Sequence, residues 1–186
     1  SINGIPVVIQ RSGWSKQGGF EIYLRDGSKG TALWNIFREA GQPWGIGPGN
    51  PNWSERVESG LVSYGGDSDG TTNPFEVRMG KYIDLTVPDD TIGIHALRRI
   101  ASEGPKRHSL GIILDAGDPV TPGFLWNPIV KDGVKVGDLT NCVFSIRVEK
   151  NIGFALVSTA CTVGDRVETL VGGRLEPATL VEMPFL

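Results

Sequence analysis

Asp165-Arg166-Val167-Glu168-Thr169-Leu170-Val171-Gly172-Gly173-Arg174-Leu175-Glu176-Pro177-Ala178-Thr179-Leu180-Val181-Glu182 reads as two runs, 165–171 and 174–182, joined by a pair of glycines. Gly-Gly between two such runs is a hairpin signal, because the favoured two-residue turns need positive φ at their centre. The same texture fills the chain from Arg107 onward. Further apolar runs lie at 109–114, 123–130, 134–136, 142–148 and 152–160, with Asp132-Gly133 as another turn. Short strands at this spacing predict a small antiparallel barrel over residues 107–186.

Upstream the pattern is mixed, which makes the fold class α+β. Ile5-Pro6-Val7-Val8-Ile9-Gln10 reads as a short buried strand. Phe20-Glu21-Ile22-Tyr23-Leu24 alternates with period 2, so Phe20, Ile22 and Leu24 point to a core and Glu21 and Tyr23 to the opposite face. Leu33, Ile36, Phe37 and Ala40 then fall at helical spacing, with Ser28 as the expected N-cap and Gly41 as the C-cap. Residues 42–54 form a Pro/Gly/Trp loop, Arg56 to Tyr64 a short helix and turn, and Thr91 to Ser102 a second helix stopped by Gly104-Pro105. The boundary between the two regions falls near residues 88–106, which places a helical linker at 89–106.

The chain has 186 residues and glycine makes up 26 of them, about 14% against a usual ~7%. With no collagen period and 39% hydrophobic residues, that excess means tight turns rather than disorder. The net charge of −3 argues against non-specific nucleic-acid binding. No apolar run reaches the ~18 residues that a membrane-spanning helix needs. Cys142 and Cys161 fall in apolar runs and read as buried free thiols. With only His95 and His108 besides, a zinc site and a catalytic triad are not expected. Gly45-Ile46-Gly47-Pro48-Gly49-Asn50 is a poor phosphate loop because proline interrupts it, and Asp67-Ser68-Asp69-Gly70 reads as an Asx-rich turn rather than a calcium loop.

One constellation suits ligand binding. Glu21 and Tyr23 share a strand face, and Trp14 lies just upstream across a glycine-rich loop. Rings that stack and a carboxylate that accepts from adjacent ring N–H donors would hold a flat heteroaromatic ligand. The alternative is an ordinary solvated strand face.

The stretch Arg11-Ser12-Gly13-Trp14-Ser15-Lys16-Gln17-Gly18-Gly19-Phe20-Glu21-Ile22 resembles the folate-contacting motif of the glycine-cleavage T-protein family of tetrahydrofolate-dependent aminomethyltransferases and their relatives. Arg56-Val57-Glu58-Ser59-Gly60-Leu61, Tyr64-Gly65, Pro74-Phe75-Glu76, Gly104-Pro105-Lys106-Arg107, Pro128-Ile129, Val136-Gly137, Gly173-Arg174 and Met183-Pro184-Phe185 follow in the family's order. Trp14 in place of tyrosine, and Gln17-Gly18 in place of an acidic pair, are similar to the dimethylsulfoniopropionate demethylase branch. The resemblance implies methyl transfer from a sulfonium to tetrahydrofolate. The alternatives are glycine-cleavage aminomethyl transfer or a folate-fold module without catalysis.

The resemblance also implies a division of labour. Residues 1–88 would be the C-terminal half of a folate-binding domain, and residues 107–186 the terminal barrel. Glu21 would accept from the pterin's paired N–H donors, Tyr23 would line the cavity and Trp14 would pack on the ligand or its rim. Arg56 would reach the folate's negative tail or hold the fold through Glu58 or a neighbouring carboxylate. Tyr64 and Glu76 would line or support the pocket. No catalytic or metal-binding residue is assigned. The partners implied are tetrahydrofolate, a small methyl donor and an N-terminal half of the same protein, with homo-oligomers open, in the cytoplasm. The chain alone is expected to be inactive.

Overall fold

The computed structural model describes residues 1–14, 18–50 and 52–186. They divide into two compact units, Ser1–Asn52 and Trp53–Leu186.

In the first unit β1 (Val7–Gln10) pairs antiparallel with β2 (Glu21–Leu24), and α1 (Gly30–Gly41) follows. The register sets Val8 opposite Tyr23 and Gln10 opposite Glu21. The expected buried strand at 5–10 is an exposed one: Val8 and Ile9 are each 54% accessible. A two-stranded ribbon cannot bury both its faces, and among the described residues of this unit only Ile5 and Leu33 are buried hydrophobics. Phe20 is also not a core residue. It precedes the strand and is 63% exposed, with the Arg11 guanidinium 5.1 Å over its ring. Ser28 does not cap α1 either. It sits in a 3-10 turn, Gly27–Lys29, that is capped by Asp26, whose carboxylate accepts from the Ser28 amide at 3.0 Å. An aspartate two residues back reaches that amide as an Asx turn does, so the cap moves upstream.

The second unit holds α2 (Trp53–Glu58), α3 (Ile94–Glu103) and strands β3 (Arg107–Leu114), β4 (Gly123–Lys131), β5 (Val134–Ser145), β6 (Lys150–Ser158), β7 (Arg166–Val171) and β8 (Arg174–Val181). The strands close into an antiparallel barrel in the order β3-β6-β5-β4-β7-β8. α3 starts three residues later than expected and ends where Gly104 takes φ +81°, a conformation that glycine adopts at little cost. The runs at 134–136 and 142–148 are one strand rather than two. Gly137 lets it continue, since a Cβ there would lie 2.3 Å from the Leu156 carbonyl oxygen.

The interior is filled by alternate residues, among them Leu110, Ile112 and Leu114 of β3, Ala155 and Val157 of β6, and Ala178 and Leu180 of β8. β5 breaks this alternation. Leu139 and Cys142 both face the interior, because the β5–β6 register skips Thr140: Leu139 pairs with Ala155 and Asn141 with Phe154. A bulge of this kind re-aims the side chains beside it. Outside the barrel, Ile152, Phe154 and Val143 pack with Val57 and Met183 in a second core, which docks α2 on the wall.

Candidate functional site

On β2, Glu21 and Tyr23 lie on the same exposed face, as period-2 geometry requires. The Tyr23 hydroxyl lies 3.4 Å from Glu21 Oε2, and the Ser12 hydroxyl donates to the same oxygen. Among the described residues no hydrogen bond to Oε1 is formed, so the contacts gather on one carboxylate oxygen of an exposed residue. Trp14 lies in the connection between β1 and β2, 42% exposed. Ser15, Lys16 and Gln17 of the motif lie outside the described residues.

Arg56 and Tyr64 belong to the other unit, and they differ sharply. Tyr64 is 79% exposed. Arg56 is fully buried on α2, and its Nη1 donates to Asp67 Oδ2 at 2.6 Å and to the Leu61 carbonyl at 2.7 Å. Its guanidinium also lies 4.8 Å from the Trp53 ring, 5.3 Å from Phe124 and 5.6 Å from Phe154. Asp67 accepts in addition from the Ser63 amide at 2.8 Å, the Thr140 hydroxyl at 3.0 Å and the Asn141 amide. The bulge supplies these last two donors. Of the two roles open for Arg56, this is the fold-holding one, with Asp67 rather than Glu58 as its carboxylate. Glu58 accepts from Ser145 at 2.5 Å and pairs with Arg147.

Glu76 is a supporting residue. It takes two hydrogen bonds from Arg107, at 2.9 and 3.1 Å, and one from the Asn73 amide. These bonds hold the Arg107 guanidinium above its ordinary pKa. Asp69 forms the expected Asx turn, accepting from the Thr71 amide and hydroxyl, and these bonds hold its carboxyl below the usual range. Sequence reading missed Ser12, Asp67, Thr140 and Asn141. A buried arginine demands an acid, so Arg56 could have pointed to Asp67. Nothing in the residue order marks the bulge.

The described residues offer no activated nucleophile among the thiols. Cys142 is buried in the barrel and burial pushes its thiol up to about 12; burial raises Cys161 as well. His108 is engaged with the Cys161 carbonyl at 3.0 Å, and no group of three potential metal ligands occurs among the described residues.

Residues 1–87 match the family model of the GCVT N-terminal domain, and residues 107–186 that of the glycine cleavage T-protein C-terminal barrel domain. The dimethylsulfoniopropionate demethylase of Ruegeria pomeroyi is 37% identical over 98% of this chain and 49% of its own length. An aminomethyltransferase of Symbiobacterium thermophilum is 36% identical over 100% of this chain and 49% of its own. The chain thus spans about half the length of the curated relatives it matches. The fold is shared with the glycine cleavage system aminomethyltransferase T from Bartonella henselae, at a TM-score of 0.74 and 21% identity over 96% of this chain and 49% of that one.

Proposed function

Because the chain belongs to the glycine-cleavage T-protein family, we propose that it is the C-terminal portion of a tetrahydrofolate-dependent transferase. In this reading it moves a methyl group from a sulfonium donor such as dimethylsulfoniopropionate. Residues 1–88 are then half of the folate domain, 89–106 a helical linker and 107–186 the barrel. The observation that carries the reading is the exposed Glu21 carboxylate, with Oε2 contacted by two hydroxyls and no donor to Oε1 among the described residues. That arrangement fits the paired N–H donors of a pterin, since charge-assisted bonds to a fixed acceptor are the strong ones.

Tetrahydrofolate supplies the nitrogen nucleophile that takes the methyl, while the sulfonium leaves as a neutral thioether and the nitrogen's proton passes to solvent. The chain's own part is positioning. Glu21 fixes the ring edge, while Tyr23 and Trp14 supply aromatic surface against its faces. Tyr64 offers a further exposed ring, and Arg56 keeps its own unit in shape through Asp67. Rate then comes from holding donor and acceptor in near-attack geometry without a covalent enzyme intermediate. The second reading, aminomethyl transfer, is favoured by the Symbiobacterium thermophilum relative at nearly the same identity.

Both readings are tested on the protein at the full length of its relatives. Incubation with tetrahydrofolate should yield 5-methyl-tetrahydrofolate from dimethylsulfoniopropionate. Formation instead of 5,10-methylene-tetrahydrofolate, with release of ammonia, from an aminomethylated carrier protein would select the second reading. Glu21→Gln should weaken folate binding by about 2–4 kcal/mol, ~30- to 1000-fold, with an unchanged melting temperature. Equal affinities would remove Glu21 from the site. The 186-residue chain alone should show no turnover, since positioning catalysis needs both reactants held; measurable turnover by it would overturn the portion reading.

A further inference from the structure

The open end of the barrel beside the β7–β8 turn contains a cavity of about 480 Å³, in the usual range for a small-ligand site. Its apolar lining is Val120, Leu125 and Val171, and its charged lining is Asp118, Arg174 and Glu176. Strand parity explains why charges sit there. Arg174 and Glu176 share the face of β8 that carries Ala178 and Leu180 into the core, and Arg174 pairs directly with the buried Val171. These two side chains therefore belong to the barrel's interior face where it reaches the mouth, not to its outer wall. Asp118 comes from the β3–β4 connection. The fully buried Asn151 clamps that connection, donating to the Ala116 and Asp118 carbonyls at 2.8 Å each and accepting from the Val120 amide at 3.1 Å.

The charges at the mouth are also uncommitted. Elsewhere on the barrel some charged side chains are paired, Arg166 with Asp115, Lys131 with Asp165 and Lys135 with Asp138. Among the described residues, Asp118, Arg174 and Glu176 form no ion pair with any group and no side-chain hydrogen bond. A cation and two anions around one partly apolar cavity, with no ion pair among them, match a ligand that carries both signs.

We infer that the barrel mouth binds a small zwitterion, its carboxylate on Arg174, its cationic group on Glu176 and Asp118, and its short apolar link over Val120, Leu125 and Val171. The inference does not depend on the folate reading and its test uses neither folate nor methyl donor. The probes are 4-aminobutanoate, butanoate and butylammonium, titrated into the isotopically labelled 186-residue chain and followed by amide chemical shifts. The zwitterion should give saturable shifts at residues 116–121 and 171–176, with each single-charge probe at least about tenfold weaker. Arg174→Gln should weaken the zwitterion about tenfold and leave butylammonium unchanged, whereas Glu176→Gln should weaken both. Asp118→Asn gives a second readout from an exposed loop, should the hairpin variants disturb the fold. Three outcomes would each overturn the site: no saturable shift with the zwitterion, equal affinity for all three probes, or shifts unaltered in the three variants.

Discussion

The two compact units solve opposite problems. Residues Ser1–Asn52 bury two hydrophobic side chains, Ile5 and Leu33, and leave Phe20, Trp34, Trp44 and Ile46 more than half exposed. Residues Trp53–Leu186 close six strands into a barrel with no free edge and dock a helix on its wall. A closed barrel supplies its own hydrogen-bond partners and its own core, so its charged groups can be structural, as Arg56 and Asp67 are. The two-stranded ribbon keeps one face open, and Glu21 and Tyr23 sit there at no expense to a core. Large exposed aromatic side chains of this kind are what a binding surface presents before it is covered.

Three measurements break or sharpen that contrast. The largest effect is expected at Asp67. Asp67→Ala leaves the Arg56 guanidinium buried without its carboxylate, which should cost about 3–5 kcal/mol in the barrel unit's unfolding free energy, measured by urea denaturation. A loss below about 1 kcal/mol would mean that Arg56 finds another acid or water, and that the pair does not hold the fold. Next come two phenylalanines at once. Phe154→Ala, in the packed wall between barrel and α2, should cost about 3–5 kcal/mol. Phe20→Ala, in the open unit, should stay within about 0.5 kcal/mol. Similar losses for the two would erase the contrast between the units.

The smallest effect is electrostatic and depends on pH. Arg166 holds the Asp115 carboxyl below its usual range, and Lys131 does the same for Asp165. A carboxyl depressed in the folded state adds stability above its unfolded value of about 3.9 and loses it as pH falls through the folded value. The Arg166–Asp115 pair is exposed and the Lys131–Asp165 pair only half-buried, so the contribution is small and screened by salt. Arg166→Gln should lower the neutral plateau by a small, salt-screened amount, and the difference from the parent should vanish as pH falls below about 4, so that the acid limb is shallower by that amount. An acid limb as steep as in the parent would assign that dependence to other carboxylates.

The strand runs from Arg107 onward, the helix at 30–41, the α+β order and the shared face of Glu21 and Tyr23 were all legible in the residue order. Each rests on a local period or a turn residue, and neighbours within a few positions carry that information. Both thiols were legible as buried for the same reason: they sit in apolar runs. The stop of α3 was legible in Gly104, although its start was not.

What the residue order left open depends on partners far away in sequence. Strand 7–10 reads as buried because valine and isoleucine are apolar, yet burial needs a second layer, and the first unit has too few elements to provide one. The runs at 134–136 and 142–148 read as two strands because polar residues interrupt them. The barrel joins them into one by absorbing Thr140 as a bulge, and that bulge turns Thr140 and Asn141 toward Asp67. The surroundings of Arg56 and Arg174 were decided in the same way. Both are arginines in family-like motifs, but one is enclosed by three rings and an aspartate, and the other stands unpaired at the barrel mouth. Local sequence determines which way a side chain points along its own strand or helix; only closure of the barrel decides what it then meets.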